Sequence, residues 1–339
     1  MANQKKSLIV TIGPPHEKPW WWDYITFNNE CEVEYYRLTV GDKKGSQIST
    51  RDIPYITLKI MKKLFFSKDK YDFIFTFECD MTSFLISLIQ AVTFQKTPKH
   101  VILTFIMREY DETIKSKIKY FIMRRIFKSL HKAICSSRKE AEYYDKVFKW
   151  KNKAKFVPLA CAPDYLKDLP EVEMGDYIIA AGRTYRDYPT LIKAMTNLDV
   201  KLIIVASPGL FDEKNLPPNI SIRYDIDIKT LNDLILKSRF VVLPLAKSDI
   251  SIGQSVLLQA MAMKKAVITT LINGTEDYIE HMQSGIFVEP YNSIELADYI
   301  RELYSDKKLC DRLGANALQL TISKYTPQKY YEDVSRLIS

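Results

Sequence analysis

The residues Gly253-Gln254-Ser255 stand where a β-favouring apolar run gives way to an apolar helix. Residues 240–245 read as a buried strand, 246–252 as a polar loop, and 256–263 as a helix closed by Lys264-Lys265. A second buried strand follows at 266–270. The loop of such a unit leaves the carboxyl end of a strand, where open α/β sheets bind ligands. The helix start offers free backbone N–H groups and the positive end of a dipole, a fit for an anion such as phosphate. Any βαβ unit with a small-residue turn reads the same way, so spacing alone leaves both readings open.

Other residue types that do chemistry are less informatively placed. The five cysteines, Cys31, Cys79, Cys135, Cys161 and Cys310, are scattered and lack metal-ligand spacing, which reads as reduced thiols. The histidines are His16, His100, His131 and His281. Asp225-Ile226-Asp227 has the form of a metal-binding Asp-x-Asp triplet, but it precedes a helix and reads as a helix cap. No metal and no cofactor is expected.

The elements that must hold these residues alternate between strand and helix. Strand-like runs lie at 7–12, 33–40, 72–77, 101–105 and 132–136, with helices at 53–66, 85–92 and 114–132 between them. After a polar linker at 167–175, strands at 177–181, 201–206 and 220–224 lead to the 240–270 unit. Amphipathic helices follow at 294–304, 307–322 and 328–338. This alternation predicts mostly parallel, doubly wound α/β sheets. With 339 residues, two domains are expected rather than one. They divide into 1–165 and 166–324, with the final helix, about 325–339, packing back on the first.

Composition excludes some classes. No stretch reaches the roughly 18 uninterrupted apolar residues of a membrane span. The amino terminus runs into a strand with no signal-peptide pattern, so a cytoplasmic location is expected. The formal net charge of +8 concentrates at 114–132, where seven Lys and Arg occur without one acid. Apolar residues recur there near helical spacing. Such a helix either lies on an anionic bilayer or covers a sheet with its basic face in water. No nucleic-acid-binding module accompanies the charge. Trp20-Trp21-Trp22 cannot all face one core, so an exposed indole there would meet a sugar face or a lipid–water interface, or pack on a neighbouring helix.

The 240–290 segment resembles the donor-binding segment of the retaining glycosyltransferases of the GT-B fold, family four. Gln259-Ala260-Met261-Ala262, Ala266-Val267-Ile268 and the downstream Gly274, Glu276, Gly285, Val288 and Pro290 carry the resemblance. Two acidic positions of the family pattern hold Ser251 and Gln259 instead. The resemblance implies two Rossmann-like domains facing across a cleft: an acceptor-side domain first, a nucleotide-sugar domain second. It also places Gly182-Arg183 and Arg186, which follow the 177–181 strand, where the family grips a departing nucleoside diphosphate with a Gly-Arg and a lysine. Arginine in the lysine position keeps the charge and adds bidentate geometry.

On this resemblance Arg183 and Arg186 are the catalytic cations. Ser251, Ile252, Gly253, Gln254 and Ser255 form the donor pocket, Gln259 meets the ribose and Ile226 the base. On the acceptor side are Gly13, His16, Trp20, Trp21 and Arg108. The family's histidine after the 101–105 strand has no counterpart in Thr104-Phe105-Ile106-Met107-Arg108-Glu109. The expected reaction is retaining transfer of a sugar from a nucleotide sugar to a glycan or lipid-linked acceptor. A GT-B scaffold that binds a sugar nucleotide without turnover is the alternative.

Overall fold

The computed structural model describes residues 5–12, 31–39, 49–65, 70–167, 170, 172–211 and 216–338. Gly13, His16, Trp20 and Trp21 lie outside these described residues. The chain forms two compact units: Met1–Val157 with Tyr331–Ser339, and Pro158–Tyr330.

The first unit is built on a six-stranded sheet, ordered β2-β1-β3-β4-β5-β6. These strands are β1 (Lys5–Ile12), β2 (Cys31–Leu38), β3 (Phe73–Glu78), β4 (Lys99–Thr104), β5 (Lys132–Cys135) and β6 (Ala154–Phe156). Every pairing is parallel, as expected where helices alternate with strands. Helices α1 (Ile53–Phe65), α2 (Met81–Thr93), α3 (Ile114–Ile126) and α4 (Arg138–Phe148) make the crossovers from β2 onward. Each start from α2 to α4 is fixed by a side chain: Asp80, Thr113 and Ser137 accept the N–H three residues on. Phe105 anchors the core, with edge-on contacts to Phe127, Tyr144, Phe148 and Trp150.

The second unit repeats the scheme. Its sheet runs β12-β11-β10-β7-β8-β9, again parallel throughout. The strands are β7 (Ile178–Ala181), β8 (Leu202–Ala206), β9 (Ile220–Tyr224), β10 (Val241–Leu243), β11 (Val267–Thr270) and β12 (Ile286–Val288). From β7 the chain builds outward through β8 and β9, then returns to lay β10 against β7's other side. The order therefore reverses between β7 and β10, and a crevice opens at the carboxyl ends of such a pair. Helices α5 (Tyr188–Met195), α6 (Ile228–Lys237), α7 (Gln254–Ala262), α8 (Ser293–Ser305) and α9 (Lys307–Lys324) surround the sheet, and α10 (Pro327–Ile338) ends the chain. Helix α7 is buried on most of its surface, and Leu257, Leu258, Ala260 and Met261 are at most 1% exposed. Burying each large side chain is worth roughly 1.5–3 kcal/mol, which holds α7 against the sheet.

The strands at 154–156 and 286–288 were not read from sequence. At three residues each they are too short to show a period. The other strands and helices named from the apolar pattern fall where it put them within a few residues, except that the helix expected over 114–132 ends at Ile126; α4 and α5 were not among them.

Candidate donor site in the second unit

Two loops leave the sheet at its reversal point, residues 182–187 after β7 and 244–253 after β10. They are joined by a single antiparallel bridge between Arg186 and Leu245. The Asp187 N–H donates to the Pro244 carbonyl at 3.1 Å, and the Ala246 N–H donates to the Tyr185 carbonyl at 3.0 Å. The first loop is turned by Gly182, whose φ of +140° lies in the region that side chains avoid. Asp187 caps α5 through Thr190 N–H, with Pro189 in the first turn.

Arg186 is fixed from below. Its Nε–H donates to the Ala181 carbonyl at 3.0 Å, and Nη1 donates to the Thr184 carbonyl at 2.9 Å. Of five N–H donors, these use two and leave three for an anion. The guanidinium packs against Gly182 so closely that a Cβ there would strike it. Burial pushes its pKa down, yet the group stays a cation at any physiological pH. Arg183 is exposed on the same loop.

The second loop delivers the start of α7. Gly253 is its N-cap, with φ of +89° and no side chain to close the first turn. Seven other helices, α2 to α6, α8 and α9, close theirs with an Asp, Thr, Ser or Asn. The first N–H groups of α7 thus remain available to an anion. A Cβ on Gly253 would lie 2.8 Å from Leu245 Cδ1, so the glycine also lets the loop fold over that leucine.

Each residue of the expected donor pocket has a place. Ser251 and Ile252 are buried and Ser255 is exposed on the first turn of α7. The Gln254 side chain turns inward, donating to the Gly274 carbonyl at 2.7 Å. Gly274 has no room for a Cβ, which would come 2.7 Å from Ile252 N and 2.9 Å from its O. Gln259 is buried and its Nε2 donates to Asn232 Oδ1 of α6. Ile226 sits half-buried in the turn between β9 and α6. Asp227 caps α6, accepting from Thr230 N–H at 2.9 Å and Thr230 Oγ1 at 2.7 Å, so it serves as the cap the sequence indicated.

Sequence reasoning missed three supports. Tyr188 Oη donates to the Gly182 carbonyl at 2.7 Å, steadying the turn below Arg186. Thr270 Oγ1 accepts the Leu245 N–H at 2.9 Å. Asn232 holds Gln259. Of these only Tyr188 had a signal, in the Asp187-Tyr188-Pro189 helix start.

In the first unit Arg108 is exposed beyond β4, and its carbonyl accepts the Tyr120 hydroxyl. His100 is fully buried on β4, with Nε2 and Nδ1 each 3.0 Å from a hydroxyl oxygen, Thr76 Oγ1 and Ser87 Oγ. Burial pushes its pKa down to about 3, so the ring is a neutral structural group. At the end of β3, burial raises the Glu78 carboxyl and lifts the Cys79 thiol to about 12.

Residues 164–320 match the family described as Glycosyl transferases group 1. Over 117 residues the chain is 28% identical to alpha-D-kanosaminyltransferase of Streptomyces kanamyceticus, a stretch covering 34% of this chain and 30% of that protein. Solved structures of similar fold include a glycosyltransferase from Rickettsia africae, at 17% identity and TM-score 0.66, covering 99% of this chain and 98% of its own. Sucrose-phosphate synthase from Thermosynechococcus elongatus gives TM-score 0.69 at 14% identity, covering 98% of each chain. Anabaena HepE in complex with UDP-glucose gives 0.62 at 12%, covering 98% of this chain and 99% of its own. The chain therefore has the GT-B fold of the glycosyltransferases. Within it, residues 164–320 are the part that matches the glycosyl transferases group 1 family.

Proposed function

We propose that this protein transfers a sugar from a nucleotide-sugar donor to a glycan or lipid-linked acceptor with retention of configuration. The observation that carries the reading is the Arg186–Leu245 bridge. It joins the loop that carries the fixed Arg186 cation to the loop that delivers the open start of α7, at the sheet's reversal point. A diphosphate leaving the sugar gains negative charge, and cations and N–H groups already in place stabilise that charge without reorganising. Arg183 and Arg186 meet the diphosphate, aided by backbone N–H groups at Gln254 and Ser255. Ser251, Ile252 and Gly253 line the sugar pocket, Gln259 bonds the ribose and Ile226 lies by the base. No metal is required, because the arginines and the helix start supply the positive charge. A complex of HepE contains UDP-glucose, which supports the donor class.

The first unit takes the acceptor, with Arg108 on its side, and 114–132 lies against an anionic membrane. The support is the orientation of α3. Its inward residues are Ser116, Tyr120 and Ile126, while Ile114, Ile118, Phe121 and Ile122 are 76, 56, 54 and 47% exposed. Lys115, Lys119, Arg125 and Lys128 are exposed around that apolar stripe. No helix among the described residues is long and apolar enough to cross a membrane.

The test is thermal stability of the protein against nucleoside diphosphates and their sugars. A ligand at about 100 times its Kd adds about 2.7 kcal/mol. One nucleotide should raise the melting temperature, and Arg183→Ala with Arg186→Ala should abolish the rise. A panel without effect removes the reading, whereas a nucleotide sugar that binds but is neither hydrolysed nor transferred leaves the scaffold.

A further inference from the structure

The second unit has another concavity, at the amino ends of the same strands. It has a volume of about 870 Å³, within the usual range of small-molecule sites. Arg239, Lys264, Lys265, Lys307 and Arg312 line it, against two carboxylates, Asp176 and Asp311. Met174 and Leu236 contribute apolar wall.

The charges are unevenly compensated. Asp176 accepts from Tyr304 Oη and lies 3.7 Å from Arg239 and 3.8 Å from Lys201. Arg239 stacks 3.9 Å over the Tyr304 ring and donates to the Tyr304 carbonyl. Asp311 faces Lys307 at 3.9 Å, and Arg312 donates to the Met282 carbonyl at 3.2 Å. Lys265 differs from the rest. It is only 7% exposed, and its Nζ donates to the Ser238 carbonyl at 2.9 Å and faces Met174 Sδ at 3.6 Å. Neither Lys264 nor Lys265 has a carboxylate at ion-pair distance among the described residues. A buried ammonium held by one carbonyl and a thioether is poorly compensated, and removal from water disfavours its charge. Burial accordingly lowers its pKa to about 8.

The lysines are also rigidly placed. Lys264 has a φ of +58°, uncommon for a residue with a side chain. Helix α9 crosses so near that a Cβ on Gly314 would strike the Lys264 carbonyl. A preformed turn of this kind loses little freedom when a ligand arrives.

We propose that this concavity binds a phosphate-bearing small molecule, with Lys265 as its buried counter-charge and Lys264, Lys307 and Arg239 around it. A phosphate, with two negative charges and several acceptor oxygens, uses cations converging from three elements better than one carboxylate would. The site is separate from the loops of Arg186 and Gly253, which leave the opposite ends of β7 and β10.

The experiment follows the melting temperature of the full chain with inorganic pyrophosphate at constant ionic strength. The background is Arg183→Ala with Arg186→Ala, which silences the donor loops. Pyrophosphate should still raise the melting temperature there. Adding Lys265→Met should abolish the rise, and Lys264→Gln with Lys307→Gln should reduce it by at least half. The latter pair is exposed and decides the matter should Lys265→Met fail to fold. No rise in the background protein, or a rise undiminished by Lys264→Gln with Lys307→Gln, overturns the proposal. Either result is independent of whether nucleoside diphosphates bind the donor loops.

Discussion

The guanidinium of Arg186 occupies the space that a side chain on Gly182 would need. The contact ties the left-handed turn after β7 to the orientation of the cation that closes the same loop. Gly182→Ala must displace the guanidinium and hold alanine at φ of +140°. We expect a cost of about 1–3 kcal/mol, read as a lower denaturant midpoint. Affinity for the stabilising nucleoside diphosphate should fall at least tenfold. A Gly182→Ala protein with unchanged affinity would show that Arg186 does not meet the phosphates.

If Gln259 meets the ribose as proposed, its removal separates ribose from phosphate recognition. Gln259→Ala removes a bond of about 0.5–1.5 kcal/mol, so nucleoside diphosphate affinity should fall roughly twofold to twelvefold, measured by calorimetry. In protein carrying Lys264→Gln with Lys307→Gln, which weakens the second concavity, pyrophosphate affinity should not move, since the proposed role of Gln259 is toward ribose and not phosphate. Equal losses for both ligands would argue for a purely structural Gln259–Asn232 pair.

His100 makes the first unit acid-sensitive. The folded ring is neutral, with a pKa near 3, whereas the unfolded ring takes a proton near pH 6.5. Protonation therefore favours the unfolded chain, and stability falls as pH drops from about 6.5 toward 3. Between pH 7 and pH 5 the loss is on the order of 2 kcal/mol. His131, half-buried and pushed down to about 4, adds in the same direction. His100→Asn should flatten the pH dependence of the denaturant midpoint over that range. An unaltered slope would assign the acid sensitivity elsewhere.

The outward face of α3 predicts a binding defect without a folding defect. Ile118→Ser with Phe121→Ser should sharply reduce cosedimentation with vesicles containing anionic lipid. The unfolding midpoint should change by no more than about 0.5 kcal/mol, as for other exposed positions. Neutralising Lys115 and Lys119 should weaken binding by about 1 kcal/mol per charge and reduce its salt dependence. Wild-type protein that fails to sediment with such vesicles would leave α3 without a lipid role.

The sequence by itself determined the alternation of strand and helix, hence the parallel sheets, because apolar periodicity and cap residues act locally. Asp227 could be read as a helix cap for that reason, and Gly253 as the start of α7. Periodicity also showed that α3 carries an apolar stripe. Only tertiary structure decided which side faces in, because the Phe105 cluster takes Tyr120 and Phe127 and leaves Phe121 outside. The Arg186–Leu245 bridge and the Gln259–Asn232 bond likewise join residues far apart in the chain, and no local pattern encodes them. The concavity around Lys265 is the plainest case. Lys264-Lys265 reads in sequence as an ordinary helix end, and α9 and the strand starts bury that lysine only when the sheet closes over it.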